Sequence, residues 1–170
     1  MGVYGYTLQI YCDFSGYSDM AIGIALLMGY RFKINFDSPY KSGSITEFWR
    51  RWHISLSSWL RDYLYISLGG NRRGTVRTYL NLFITMVLGG LWHGASWLFV
   101  IWGAWHGLML IIHKLYRRIF PVAKDYRAGH FRHFLNVLLT FHVVAAGGIF
   151  FRAPSLDIAW QILTQIFTNF

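Results

Sequence analysis

Residues 78–113 read TYLNLFITMVLGGLWHGASWLFVIWGAWHGLMLIIH, the longest apolar run of the chain. At its centre, Gly89-Gly90-Leu91-Trp92-His93-Gly94-Ala95-Ser96-Trp97 sets one imidazole, His93, among glycines. As a single helix the run would measure roughly 52 Å. That is too long for one crossing of a hydrocarbon core about 30 Å thick, and rather short for two. Glycines 89, 90 and 94 offer a break, so two helices are expected to meet near residues 91–94. Non-helical backbone at membrane depth needs protein or a water-filled cavity around it. An ionisable side chain there is costly to keep and marks a functional site by default. A cavity at His93 is therefore expected.

Composition supports lipid as part of the solvent. Of 170 residues, 55% are hydrophobic and 19% aromatic, more apolar surface than a soluble domain of this size can hide. The net charge of +9 falls in blocks between the apolar runs, at 31–77 and 114–132. Such blocks suit cytoplasmic loops of a multi-pass protein of the cell (inner) membrane, and they require an even number of crossings between them. No nucleic-acid-binding signature accompanies the basic charge, so no nucleic-acid partner is expected. The single cysteine, Cys12, excludes an internal disulfide and a thiolate metal cluster.

The flanking segments give an all-α reading. Residues 3–30 are long enough to span a bilayer. They lack a basic leading region and carry Asp13 and Asp19, which suits an internal membrane segment rather than a signal peptide. Cys12, Ser15, Asp19 and Gly23 recur at helical spacing as a small or polar stripe expected to face protein. Asp13 or Asp19 is expected to pair with a basic loop residue or to serve substrate. Residues 31–43 read as a loop. Ser44-Ile45-Thr46-Glu47 is a capping box that opens one amphipathic, interfacial or re-entrant helix over 44–68. The broken pair at 78–113 comes next, then a basic loop at 114–132, a span at 133–151 and a short helix at 155–170. In sum, about four transmembrane or re-entrant helices and one interfacial helix are expected.

Seven histidines raise the question of a metal or haem. His106 and His113 lie seven apart, about 10 Å along a helix, too far to chelate one ion. No H-x-x-x-H or C-x-x-C pair exists, so no metal site is expected. Haem ligation from His93, His106 or His142 on facing helices stays open. His130 and His133 read as surface residues of a basic loop. A serine-based triad has little support, because no G-x-S-x-G elbow occurs. That leaves His93 and His53. A neutral imidazole is the side chain suited to taking a proton from a hydroxyl, and apolar surroundings favour that form at His93. His53 shares its helix face with Arg50, Ser57 and Arg61, a polar, cationic strip suited to an anionic donor.

Three runs carry a resemblance: YCDFSGYSDMAIGIA (11–25), FWRRWHISLSSWLRDYLYISLGG (48–70) and GGLWHGASWLFVIWGAWHG (89–107). Together they resemble the membrane-bound O-acyltransferase family, most of all its bacterial branch of alginate O-acetyltransferase membrane subunits. Phe150-Phe151-Arg152-Ala153 echoes a further family element. The resemblance implies transfer of an acyl group, most simply acetyl, from a cytoplasmic thioester donor towards a hydroxyl acceptor for a cell-surface polysaccharide. That donor would be acetyl-CoA or a carrier-linked acyl group; no bound cofactor is implied. The resemblance implies catalytic roles for His93, in L-W-H-G, and for His53, in R-W-H-I-S-L-S; from the polar strip and the run around His93, Arg50, Ser57, Arg61 and Trp92 are expected as substrate-contacting residues. The implied partners are membrane lipid, the donor, and extracytoplasmic acyl-acceptor or transferase proteins. Family members are much longer, so this chain reads as a C-terminal portion of the fold. The rival reading is a transporter or channel subunit that moves an acylated intermediate without chemistry.

Overall fold

The computed structural model describes residues 1–121 and 129–168. Regular structure there is all helical: α1 Gly2–Leu27, α2 Ile45–Arg51, α3 Ile54–Trp59, α4 Thr75–Trp92, α5 Trp97–Ile119, α6 His130–Arg152 and α7 Leu156–Thr168. A 3-10 turn at Pro39–Lys41 precedes α2, and a π-helical turn at Leu60–Tyr65 prolongs α3.

Helices α4 and α5 form the packing centre. A Cβ on Gly90 would lie 2.2 Å from the Phe99 carbonyl oxygen, and one on Gly103 would lie 2.4 Å from the Met86 carbonyl oxygen. Only glycine permits that approach, the small-residue contact by which helices associate without help from water. The expectation that Gly89 and Gly90 break the apolar run is thereby corrected. Both lie inside α4 as buried packing positions, and the non-helical residues are 93–96. There the Gly94 N–H turns back to the Leu91 carbonyl (3.2 Å), and Ser96 caps α5 by accepting from the Leu98 N–H (3.3 Å).

Helices α5 and α6, 23 residues each, are long and apolar enough to cross a membrane. They are tied by the Trp105 indole N–H donating to the Val143 carbonyl at 2.9 Å. Helix α1 lies along α6, with Tyr4 stacked on Phe141, while the Tyr40 hydroxyl donates to the Thr7 carbonyl at 2.6 Å. Helix α7 folds back so that buried Ala159 meets Leu98, Ile149 and Ala153.

Three further expectations change. The stripe Cys12, Ser15, Asp19 and Gly23 does not form the packed face of α1, since Cys12, Asp19 and Gly23 are exposed. The packed face is Thr7, Phe14, Ser18 and Ala25, because Phe14 stacks edge-on against Phe36 and His53. The basic loop at 114–132 is shorter than expected: α5 continues to Ile119, with Arg117 and Arg118 at the favourable end of its dipole, and α6 starts at His130. Residues 122–128 lie outside the described residues. Finally, 44–68 is not one helix. Its capping box forms as Ser44 Oγ accepting from the Glu47 N–H (3.2 Å), while Glu47 reaches back to the Gly43 N–H (2.9 Å). The helix then stops at Arg51, with Trp52 extended and His53 left-handed at φ 43°.

The α4–α5 contact yields a direct test. Gly103→Leu should force the two backbones apart and cost about 2 kcal/mol or more. A lowered thermal midpoint of the detergent-solubilised protein would report it. Gly23→Ala, inside α1 where an added Cβ meets nothing within 4 Å, should leave that midpoint unlowered or raise it slightly.

Candidate active site

The break at His53 is held from outside its own helix. Asn35, in the loop after α1, accepts from the Ile54 N–H through its carbonyl (2.9 Å). Its Oδ1 accepts from the Ser55 N–H (3.2 Å) and the Ser55 hydroxyl (3.0 Å). The Asn35 amide reaches Ser18 on α1 at 3.4 Å. The loop thus supplies the acceptors that the first turn of α3 needs. A left-handed residue other than glycine costs of order 1–3 kcal/mol and persists only when its surroundings determine it. Here that surrounding structure turns His53 inward against Phe14 (ring centroids 4.8 Å apart).

His93 succeeds the last turn of α4 and is boxed by rings: Trp92 at 5.1 Å, Trp102 at 5.2 Å and Phe151 at 5.1 Å. The Trp92 ring also meets His53 at 6.2 Å, so one indole joins the two histidines. Both histidines line a cavity of about 510 Å³ walled by α1, α2, α5 and α6, with Asp13, Tyr40 and His106 on its lining. Among the described residues neither imidazole has a hydrogen-bond partner, and both border the open space of the cavity. Burial, and then the charge of neighbouring His93, lowers the His53 imidazole to about 4, so it is neutral near pH 7.

The expected cationic strip is not continuous, because the turn at Trp52-His53 rotates α3 away from the line of α2. Arg50 opens on a second cavity of about 1010 Å³ beside His113 and Arg117. The Ser57 hydroxyl donates to the Trp52 carbonyl at 3.1 Å. Arg61 is exposed and paired with Asp62 at 2.7 Å. Trp92 packs between the histidines while much of its ring stays exposed. Among the described residues no basic side chain pairs with Asp13 or Asp19; Asp13 instead faces the cavity. No group of three or more His, Cys, Asp or Glu side chains among the described residues could hold a metal ion.

Sequence reasoning missed Asn35 and Tyr40 and did not place His106 with the other two histidines. Asn35 had no local signal, since its partners stand about twenty residues away. His106 is wholly buried, with its Nδ1 unpartnered. Leaving such a group unsatisfied costs about 1–3 kcal/mol.

The chain belongs to the membrane-bound O-acyltransferase (MBOAT) family, whose pattern matches residues 1–153. It is 56% identical over 168 residues to a probable alginate O-acetylase, AlgI, of Azotobacter vinelandii, covering 99% of this chain and 32% of that protein. A peptidoglycan O-acetyltransferase of Helicobacter pylori is 47% identical over 160 residues, covering 93% of this chain and 29% of its own. A teichoic acid D-alanyltransferase of Bacillus subtilis is 30% identical over 154 residues, with 85% and 38% covered. The chain spans about a third of the length of these curated relatives. It is a multi-pass protein of the inner membrane.

The site's construction makes two outcomes testable. Asn35→Ala removes the side-chain acceptor at the α3 start and should cost about 1–2 kcal/mol, read as a lowered thermal midpoint in detergent. Asn35→Asp keeps the acceptor and should lose less. The second concerns acid. The His53 value of about 4 lies below the ordinary value near 6.5, so protonation opposes the fold. Its contribution is complete above about pH 6.5 and is lost as pH falls towards 4. His53→Gln should flatten this loss in thermal scans from pH 7 to 4.

Proposed function

We propose that the cavity holding His53 and His93 is the transfer centre of a membrane O-acyltransferase. It moves an acetyl group from a cytoplasmic thioester donor, acetyl-CoA or a carrier-linked group, towards a hydroxyl acceptor for cell-surface polysaccharide. The observation that carries this reading is the pairing of two unbonded imidazoles, from separate segments, in one aromatic-walled cavity. The relatives' names support it, since each describes acyl transfer onto a polymer.

In this reading His93 accepts the proton of the acceptor hydroxyl as its oxygen attacks the thioester carbonyl carbon. The tetrahedral intermediate collapses, the carbon–sulfur bond breaks, and the thiolate leaves with the proton held by His93. An ester and a thiol result. Neutral His53 orients the donor or polarises its carbonyl. Arg50, at the second cavity, meets an anionic part of the donor, and Trp92 shields the space between the histidines. Ser57 and Arg61 act through the segment that carries His53. Helix α1 crosses the membrane beside α5 and α6, and the α4–α5 junction reaches into it as a re-entrant pair. Extracytoplasmic proteins receive the acyl group.

The test is transfer of radiolabelled acetyl from acetyl-CoA in membranes containing the intact protein. His93→Ala should lower turnover about 10²–10⁴-fold, the range for a general base. His53→Ala should lower it by a smaller factor. Undiminished turnover by a His93→Ala protein that still inserts overturns the assignment.

A further inference from the structure

We propose that His106 is a third substrate-contacting histidine of the cavity, and that it hydrogen-bonds an oxygen atom of the bound donor or acceptor. The inference rests on the acyl-transfer reading above.

His106 sits on α5, one helical turn beyond Trp102, and is 1% exposed. It lines the same cavity as His53 and His93. Its Nδ1 has no partner. A helical histidine has an easy remedy, shown by His142, whose Nδ1 bonds to the Leu138 carbonyl four residues back at 2.7 Å. His106 does not make the equivalent bond.

Nor do the surrounding rings provide one. Phe48 stacks on the imidazole at 6.4 Å, while Trp49 and Trp102 meet it edge-on at 5.1 and 4.9 Å. These neighbours bring two polar side-chain atoms, the Trp49 and Trp102 Nε1, both of which can only donate, and that of Trp49 is itself buried without a partner. Two adjoining buried groups, the Trp49 indole N–H and the His106 Nδ1, thus lack hydrogen-bond partners. His106 is the one of the two that lines the cavity, and the chemistry that answers it there is an oxygen, as a carbonyl or a hydroxyl.

The ring is also held in place. A Cβ on Gly147 of α6 would lie 2.9 Å from the His106 Nε2 and 2.8 Å from Trp105 Cδ1. The absent side chain at Gly147 is therefore what admits the imidazole against α6. Trp102 stands between His93 and His106, touching each at about 5 Å. His106 accordingly grips the substrate one ring's width from the reacting carbon and positions it, without moving the proton.

Two sources could supply the oxygen, the thioester donor or the hydroxyl acceptor, and kinetics separate them. Acetyl transfer is measured with the intact protein in membranes, titrating acetyl-CoA and an alginate oligosaccharide in turn. His106→Phe keeps a ring of similar size and removes both nitrogens. It should raise KM for one of the two substrates about tenfold or more, with kcat changed less than about threefold. The substrate whose KM rises supplies the oxygen. His106→Asn, which restores a polar group, should recover part of that KM. Gly147→Ala should shift the same KM in the same direction by crowding the ring. Should His106→Phe not accumulate, His106→Asn and Gly147→Ala carry the same comparison. Unchanged KM for both substrates in these variants overturns the proposal, as does a loss of activity that only tracks the amount of folded protein. No transfer by the unaltered protein, or full activity of His93→Ala, overturns the acyl-transfer reading itself and this inference with it.

Discussion

The backbone contact of α4 with α5 at Gly90 and Gly103 is the constraint on which the rest of the molecule depends. Where lipid replaces water, apolar side chains gain little by leaving solvent, and close packing of small residues takes over as the source of helix association. Drawing the two backbones together fixes where α4 ends, where α5 begins and which side chains of α5 look back across the junction. His93 is the first residue past the end of α4. Trp102 and His106, one and two turns into α5, become its wall, and α6 closes the wall by packing Val143 on Trp105 and bringing Phe151 to His93.

A second constraint is polar and works at a distance. The chain cannot turn left-handed at His53 unless the amides of the next turn find acceptors. Asn35 supplies them while holding Ser18 of α1, so three separate segments are fastened by one residue. The result turns an imidazole from a helix surface into a cavity. The left-handed residue His53 lies on the cavity lining, as does His106, whose Nδ1 is buried without a partner.

Much of the architecture is legible in the sequence because helical periodicity and apolar run length are local properties. The helical class, the capping box at Ser44 and the need for a break within residues 78–113 all depend on residues a few positions apart. The site of that break is less legible. Glycine reads locally as a helix breaker, yet Gly89 and Gly90 are packing residues, because the neighbouring segments demand the missing Cβ. The 44–68 segment misleads for the converse reason. Its amphipathic spacing is helical throughout, and only Asn35, remote in sequence, interrupts it. The packed face of α1 likewise tracks the aromatic rings that meet it, not the small polar stripe.

His93 and His53 are marked by the sequence itself, one as an ionisable group in an apolar run, the other by its motif. Membrane residence and family come from composition and from three motifs in order, since these record solvent and chemistry residue by residue. Tertiary structure alone decided that the two histidines share a cavity, that the cationic strip of Arg50, Ser57 and Arg61 is dispersed, and that His106 joins the wall. Each of these is a matter of which way a side chain faces after a turn. That direction is set by hydrogen bonds and backbone contacts between segments far apart in the chain, and no local pattern encodes it.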